Sequence, residues 1–161
     1  MSKLMVRPMR IADLDEVIAI EQSAYEFPWT RGNFTDSMSA GYTAMSLTFE
    51  KSVVGYFILM KILDECHLLN IAISRNEQGK GWGTFLLDWC CAHVKGLGCE
   101  GLLLEVRLSN DSARHIYEKS GFRLVGVRKH YYPAAVGRED ALVLFKSFES
   151  PNQTFDEENS R

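Results

Sequence analysis

The sequence predicts a single α/β domain with a mixed, mostly antiparallel central sheet and helices on both faces. Two observations predict it. The elements read in the order β-α-α-β-β-β-α-β-α-β-β. Consecutive hairpins come first and pair antiparallel, whereas the later strand–helix alternation favours parallel neighbours. The 161 residues also fit one domain of the usual ~100–200. With 46% apolar and 24% charged residues, they can bury a core without staples. The domain is expected over residues 1–148, followed by a mobile acidic tail over 149–161 that lacks any periodicity.

Each element has a local reason. Leu4–Met9 reads as the first strand. Asp13 is expected to cap a helix with Glu16 as reciprocal partner, and Leu14, Val17, Ile18 and Glu21 follow the helical period. Phe27-Pro28-Trp29 stops that helix, because Pro28 restricts its neighbour and donates no bond. Thr30 caps a short second helix to about Ser39, ended by Gly41. Tyr42–Phe49 and Val53–Ile62 are β-rich runs around the turn Glu50-Lys51-Ser52. The turn Leu63-Asp64-Glu65 leads into the strand Cys66–Ile73. The loop Gln78–Thr84 opens a helix to about Leu97, closed by Gly98. Gly101–Leu108 is a strand, and Asn110 caps a helix that Gly121 closes. Phe122–Lys129 and Ala141–Phe148 are the last strands, with a loop around Tyr131-Tyr132-Pro133 between them.

Composition excludes several classes. The longest apolar run, Val53–Met60, is far short of the roughly 20 residues that span a bilayer, so no membrane span is expected. The first ten residues alternate polar and apolar and lack a signal-peptide core. Cys66, Cys90, Cys91 and Cys99 form no CxxC pair, so reduced thiols and a cytoplasmic location are the simplest expectation. Net charge is −3 overall, but residues 75–148 carry +3 between flanks of −3 each. A basic second half suits a polyanionic ligand, yet it is too weak for a nucleic-acid footprint. The four histidines and four cysteines make no convergent set, so no metal is expected.

The glycine-rich loop Gln78-Gly79-Lys80-Gly81-Trp82-Gly83-Thr84 is the strongest chemical signal. It stands where a strand hands over to a helix, so free N–H groups and the helix dipole face whatever lies there, which favours phosphate. It fails the Walker A pattern, because Gly81 follows Lys80, and the dinucleotide pattern, because Leu86 stands where the third glycine belongs. A plain glycine-rich turn is the alternative. On the strand 101–108, Leu103, Glu105 and Arg107 share one face. Glu105 is therefore either a general base or the simple partner of Arg107. In the helix after Asn110, Ala113, Ile116, Tyr117 and Ser120 share a face, with Arg114 and Glu118 elsewhere as an i,i+4 pair. Tyr117 is either a core tyrosine or a proton donor beside the sheet.

Together these residues resemble the GNAT superfamily of N-acetyltransferases, with the loop Gln78-x-x-Gly81-x-Gly83 matching its pyrophosphate loop. The resemblance runs from about residue 4 to 147. It includes Phe27-Pro28-Trp29, Asn70-Ile71-Ala72, Leu104-Glu105-Val106-Arg107, Ser109-Asn110, Tyr117 with Gly121-Phe122, Tyr131-Tyr132-Pro133 and Arg138-Glu139-Asp140-Ala141. It implies acetyl-CoA as donor and no metal. It implies that Ile71, Ala72 and Ile73 hold the pantetheine like an added strand. Gln78, Gly79, Lys80, Gly81, Trp82, Gly83 and Thr84 would hold the pyrophosphate, and Asn110 and Tyr117 would touch the same cofactor. Glu105 corresponds to the family's general base and Tyr117 to its general acid, while Phe27, Trp29, Tyr131 and Tyr132 would face the acceptor. That acceptor would be the N-terminal alanine of small-subunit ribosomal protein eighteen, with no nucleic acid or membrane as direct partner. Other protein N-termini, lysines or a small amine are the alternative. An acyl-CoA-binding regulator without catalysis would be expected to lack Glu105 or Tyr117.

Overall fold

The computed structural model describes residues 3–148, so the expected mobile tail over 149–161 lies outside the described residues. Seven strands and four α-helices follow the predicted order: β1 (Leu4–Pro8), α1 (Leu14–Ala24), α2 (Arg31–Ser39), β2 (Thr43–Phe49), β3 (Ser52–Ile62), β4 (Glu65–Ile73), α3 (Trp82–Gly96), β5 (Gly101–Arg107), α4 (Asp111–Lys119), β6 (Arg123–Pro133) and β7 (Arg138–Ser147). One sheet runs β1-β2-β3-β4-β5-β7-β6, and every pair is antiparallel except β4 with β5.

β3 shows why the sheet is covered on both sides. Phe57 and Leu59 point into a core built with Leu86, Leu87, Cys90 and Val94 of α3. Tyr56 and Ile58 point into a second core with Val17 and Ile20 of α1 and Phe34 of α2. A strand buried on both faces reads as a continuous apolar run, as Val53–Met60 does.

The parallel pair is short. Cys66, His67 and Leu68 align with Leu102, Leu103 and Leu104, and no pairing continues beyond them. Leu68 and Asn70 pair with Leu59 and Ile58 of β3, leaving Leu69 as an extra residue that bends β4. Beyond this bulge β4 stays with β3, and β5 stays with β7. The carboxyl ends of β4 and β5 therefore diverge into a cleft, where open α/β sheets place their ligands.

Several local expectations change. Asp13 makes no side-chain cap to α1. Its carboxylate turns back to accept from Arg7 Nη1 and Nη2 at 2.7 and 2.8 Å and from Arg10 N at 2.8 Å. Glu16 accepts from Val53 N at 3.0 Å, so it ties α1 to β3 instead of boxing the helix start. Arg114 reaches Leu108 O at 2.9 Å and Asp111 at 3.4 Å, not Glu118. Tyr131, Tyr132 and Pro133 belong to β6 and not to a loop. The strand reaches them through an irregularity between Arg128 and Tyr132, with His130 at φ +53. Thr30 caps α2 as expected, accepting from Asn33 N at 3.1 Å.

Candidate active site

Two cavities open in the cleft between β4 and β5. One, of about 440 Å³, is floored by Ile71, Ala72 and Ile73 of β4, the glycine loop, and Ala113 and Ile116 of α4. The other, of about 260 Å³, is lined by Phe27, Trp29, Asn70, Glu105, Arg107 and Tyr132, among others. Tyr25, Ile71, Asn110 and Tyr117 line both, so the cavities meet there.

The larger cavity is where the resemblance would place the pantetheine and pyrophosphate. Gly81 is the N-cap of α3 at φ +79 and supplies no side-chain cap, so the first N–H groups of the helix have no intrahelical acceptor. A Cβ built at Gly79 or Gly81 would meet nothing within 4 Å, and one at Gly83 only Ile73 Cγ1 at 3.8 Å. The space above the loop is free of protein, as a phosphate approaching the backbone requires. Gln78 holds the loop to the end of β4 through Ile73 O at 3.5 Å. Trp82 packs on Phe49 at 5.1 Å between ring centroids. Lys80 alone of the loop residues lies outside this cavity's lining; it pairs with Glu77 at 2.5 Å and lies over the Trp82 ring. Asn110 spends its side-chain oxygen on Ala113 N at 3.3 Å, which leaves its amide nitrogen for a ligand.

The smaller cavity carries the carboxylates. Glu105 is flanked by the guanidinium of Arg128, whose Nε stands 3.1 Å from Oε1. Arg107 is not its partner. It pairs with Glu139 at 3.1 Å, donates to Pro133 O at 2.7 Å, and stacks between Phe27 and Tyr132 at 5.0 and 4.5 Å. Glu139 also accepts from Ser109 N at 2.9 Å. That hydrogen bond and Arg107 hold its carboxyl below the usual range. Burial, then the nearby Glu105 charge, pushes Tyr132 up to about 12. Tyr131 lies outside the cavity lining but beside Glu105; burial first, then its bond to that carboxylate, raises its phenol. Tyr117 is half-buried and packs edge-on to Phe122, and burial keeps its phenol protonated well above neutrality.

Two residues with no chemical signal in the sequence matter here. Tyr25 donates from its hydroxyl to Ile71 O at 2.5 Å, so one backbone group expected to hold the pantetheine already has a partner. Glu21 is 1% exposed, yet it lines the acceptor-side cavity. It accepts from Trp29 N at 3.1 Å, Asn70 Nδ2 at 2.9 Å and the Tyr56 hydroxyl.

A sheet that splays at two parallel strands, a glycine-rich helix start at the mouth of the cleft, and two cavities that meet beside it are the architecture of an acyl-CoA-dependent N-acyltransferase. The family model described as Acetyltransferase (GNAT) family matches residues 14–122, and the chain belongs to that family, whose donor is acetyl-CoA. It is 39% identical over 140 residues to a [ribosomal protein bS18]-alanine N-acetyltransferase of Haemophilus influenzae, covering 86% of this chain and 95% of the relative. The corresponding Escherichia coli enzyme is 34% identical over 139 residues, covering 86% and 94%. The crystal structure of the ribosomal-protein-S18-alanine N-acetyltransferase from Escherichia coli superposes with a TM-score of 0.84 at 33% identity, covering 92% of this chain and 97% of that one.

Proposed function

We propose that this enzyme acetylates the N-terminal alanine amine of ribosomal protein bS18 in the cytoplasm, with Glu105 as general base and Tyr117 as general acid. The carrying observation is the junction of the two cavities: Tyr117 lines both, while Glu105 lines only the acceptor side. The acceptor is inferred from the names of relatives that align over 86% of the chain.

Ile71–Ile73 and the loop at 78–84 would bind the donor, apart from Lys80, and orient its acetyl group toward the junction. The donor supplies an activated thioester. Phe27, Trp29 and Tyr132 line the smaller cavity and would face the acceptor's first residue. An α-amino group has a pKa of about 7.7–8.0, against about 10.4 for lysine, so an N-terminus yields the required neutral amine far more readily. Glu105 takes the amine's proton directly or through one water. A free backbone N–H at the end of β4 would meet the negative charge developing on the acetyl oxygen.

Tyr117 is protonated at neutral pH and stands ready to donate. From an ordinary phenol near 10 to an ordinary thiolate near 8.5, that transfer is uphill by about 2 kcal/mol. Burial of Tyr117 widens the gap, whereas the same dry wall raises the thiol and narrows it. The proton is therefore expected to move as the carbon–sulfur bond breaks.

The test is incubation with acetyl-CoA and unacetylated small-subunit proteins, followed by intact and peptide mass spectrometry. One acetyl group on the bS18 N-terminus is expected. Glu105→Gln should lower kcat by about 10²–10⁴, less at high pH where the amine is already neutral. Tyr117→Phe should lose rate with no such recovery. Acetylation only of lysines or of small amines would overturn the acceptor. An unchanged kcat in Glu105→Gln would overturn the base.

A further inference from the structure

We infer that Arg128 is a placeholder cation, which occupies Glu105 in the free enzyme and is displaced when the acceptor's ammonium group arrives. The inference rests on Glu105 being the base.

A carboxylate oxygen paired with a guanidinium is not free to receive an acceptor's ammonium group. Glu105 and Arg128 are in that arrangement at 3.1 Å. Turnover therefore requires the guanidinium to leave. The geometry makes leaving easy. The Arg128 side chain is 55% exposed, against 23% for Glu105, so the pair sits at the rim of the cavity with the cation on the solvent side. An ion pair whose cation is well solvated is readily exchanged for another cation. Arg128 also precedes the irregular stretch of β6 in which His130 takes φ +53 and pairing resumes only at Tyr132. It also lies over the Tyr131 ring, 5.5 Å from the guanidinium carbon.

The other nearby cation cannot play this part. Arg107 is held by Glu139, by Pro133 O and by two aromatic rings. An acceptor amine at neutral pH arrives largely as an ammonium ion. Exchanging one monovalent cation for another leaves Glu105 neutralised at every stage, so its charge is never stranded in the cavity. The exchange also ties base activation to acceptor arrival.

The groups facing Glu105 are Arg128, Tyr131 and Tyr132 of β6, Arg107 of its own strand with Glu139 of β7 behind it, Tyr117 of α4 and Glu21 of α1. Of these only Arg128 is an exchangeable cation. Two measurements on Arg128→Gln test this. In a salt series, the KM for an N-terminal peptide should rise more steeply than in the parent, because the arriving ammonium then meets an unpaired carboxylate. The KM for an N-terminal peptide should fall by up to about fivefold at low salt, the equivalent of 1 kcal/mol. Arg128→Lys should keep both near parental values, and CoA affinity should not change in either variant. A raised KM would mean that Arg128 holds the acceptor itself, and an unchanged KM with unchanged salt dependence would mean that it holds nothing; either overturns the inference. If Glu105→Gln loses turnover while Arg128→Gln changes neither quantity, only the placeholder falls. If Glu105→Gln keeps turnover, the base reading falls, whatever Arg128 does.

Discussion

Gly83 separates a glycine kept for the ligand from a glycine kept for the backbone. It lies inside the first turn of α3, its φ is not positive, and a Cβ there would touch only Ile73 Cγ1 at 3.8 Å, an ordinary contact. By fold alone alanine should be better, since glycine inside a helix costs about 0.5–1 kcal/mol relative to alanine. Gly83→Ala is therefore expected to raise the melting temperature by about 1–4 °C. It should also weaken CoA binding, because the added methyl group stands where the backbone meets the pyrophosphate. Gly83→Glu adds charge to bulk. A carboxylate about 6 Å from each of two phosphates is repelled by roughly 0.7–2.8 kcal/mol per phosphate, depending on the local dielectric. After screening, about 0.7–3 kcal/mol remains, or a roughly 3–150-fold rise in Kd. Isothermal titration calorimetry with CoA on folded variants measures it. Unchanged affinity in both variants would refute the placement of the pyrophosphate over the start of α3. Gly81 is a poorer probe, because its φ of +79 adds strain to any substitution.

Other outcomes follow from the same geometry. The Asp13 carboxyl is held down at about 2, chiefly by its hydrogen bonds to Arg7 and then by Arg10 N. A depressed carboxylate stabilises the fold above its unfolded pKa of about 3.9 and loses that contribution as pH falls through the folded value. In urea unfolding, Asp13→Asn should therefore cost a constant amount between about pH 5 and 8, and the gap to the parent should close from about pH 4 toward 2. Glu21→Ala strands three donors and should cost about 2–4 kcal/mol of stability, whereas Glu21→Gln should cost markedly less. Equal losses would mean that the charge itself carries the contribution. Gly101→Ala should be severely destabilising by thermal melt, because its Cβ would fall 2.3 Å from the Phe145 ring and 2.4 Å from Lys146 O.

What was legible in the chain is what is encoded locally. The glycine loop, the Thr30 and Asn110 caps and the strand order each depend on residues within a few positions of one another, and they stand where expected. The contacts that shape the site join distant positions. Tyr25 meets Ile71, Glu16 meets Val53 and Glu105 meets Arg128, pairings that no periodicity announces. The bulge at Leu69 is equally silent, because an extra residue in a strand appears only when the partner's register is known. Proline misled at Pro133, which ends an edge strand where its missing N–H leaves no ladder bond unmade. Glu21 fell on the apolar period of α1, and its regular spacing hid its chemistry.

Glu21 also explains why two separated motifs belong to one site. Phe27 and Trp29 line the smaller cavity, and along Asn70-Ile71-Ala72 the edge of β4 passes from that cavity into the larger one. The Trp29 N–H and the Asn70 amide end on the two oxygens of the same buried carboxylate. Tyr25, one helical turn after Glu21, then fastens Ile71 O. α1 thus holds β4 at two successive residues, just beyond the bulge where β4 has parted from β5. Without those ties the free edge of β4 would have only β3 to hold it, and the cleft could narrow by re-pairing with β5. A buried charge is costly unless fully paired, and here three donors satisfy it. Burying that charge ties the segment at Trp29 to the edge of β4, and under the proposed function that tie would fix how amine and thioester meet.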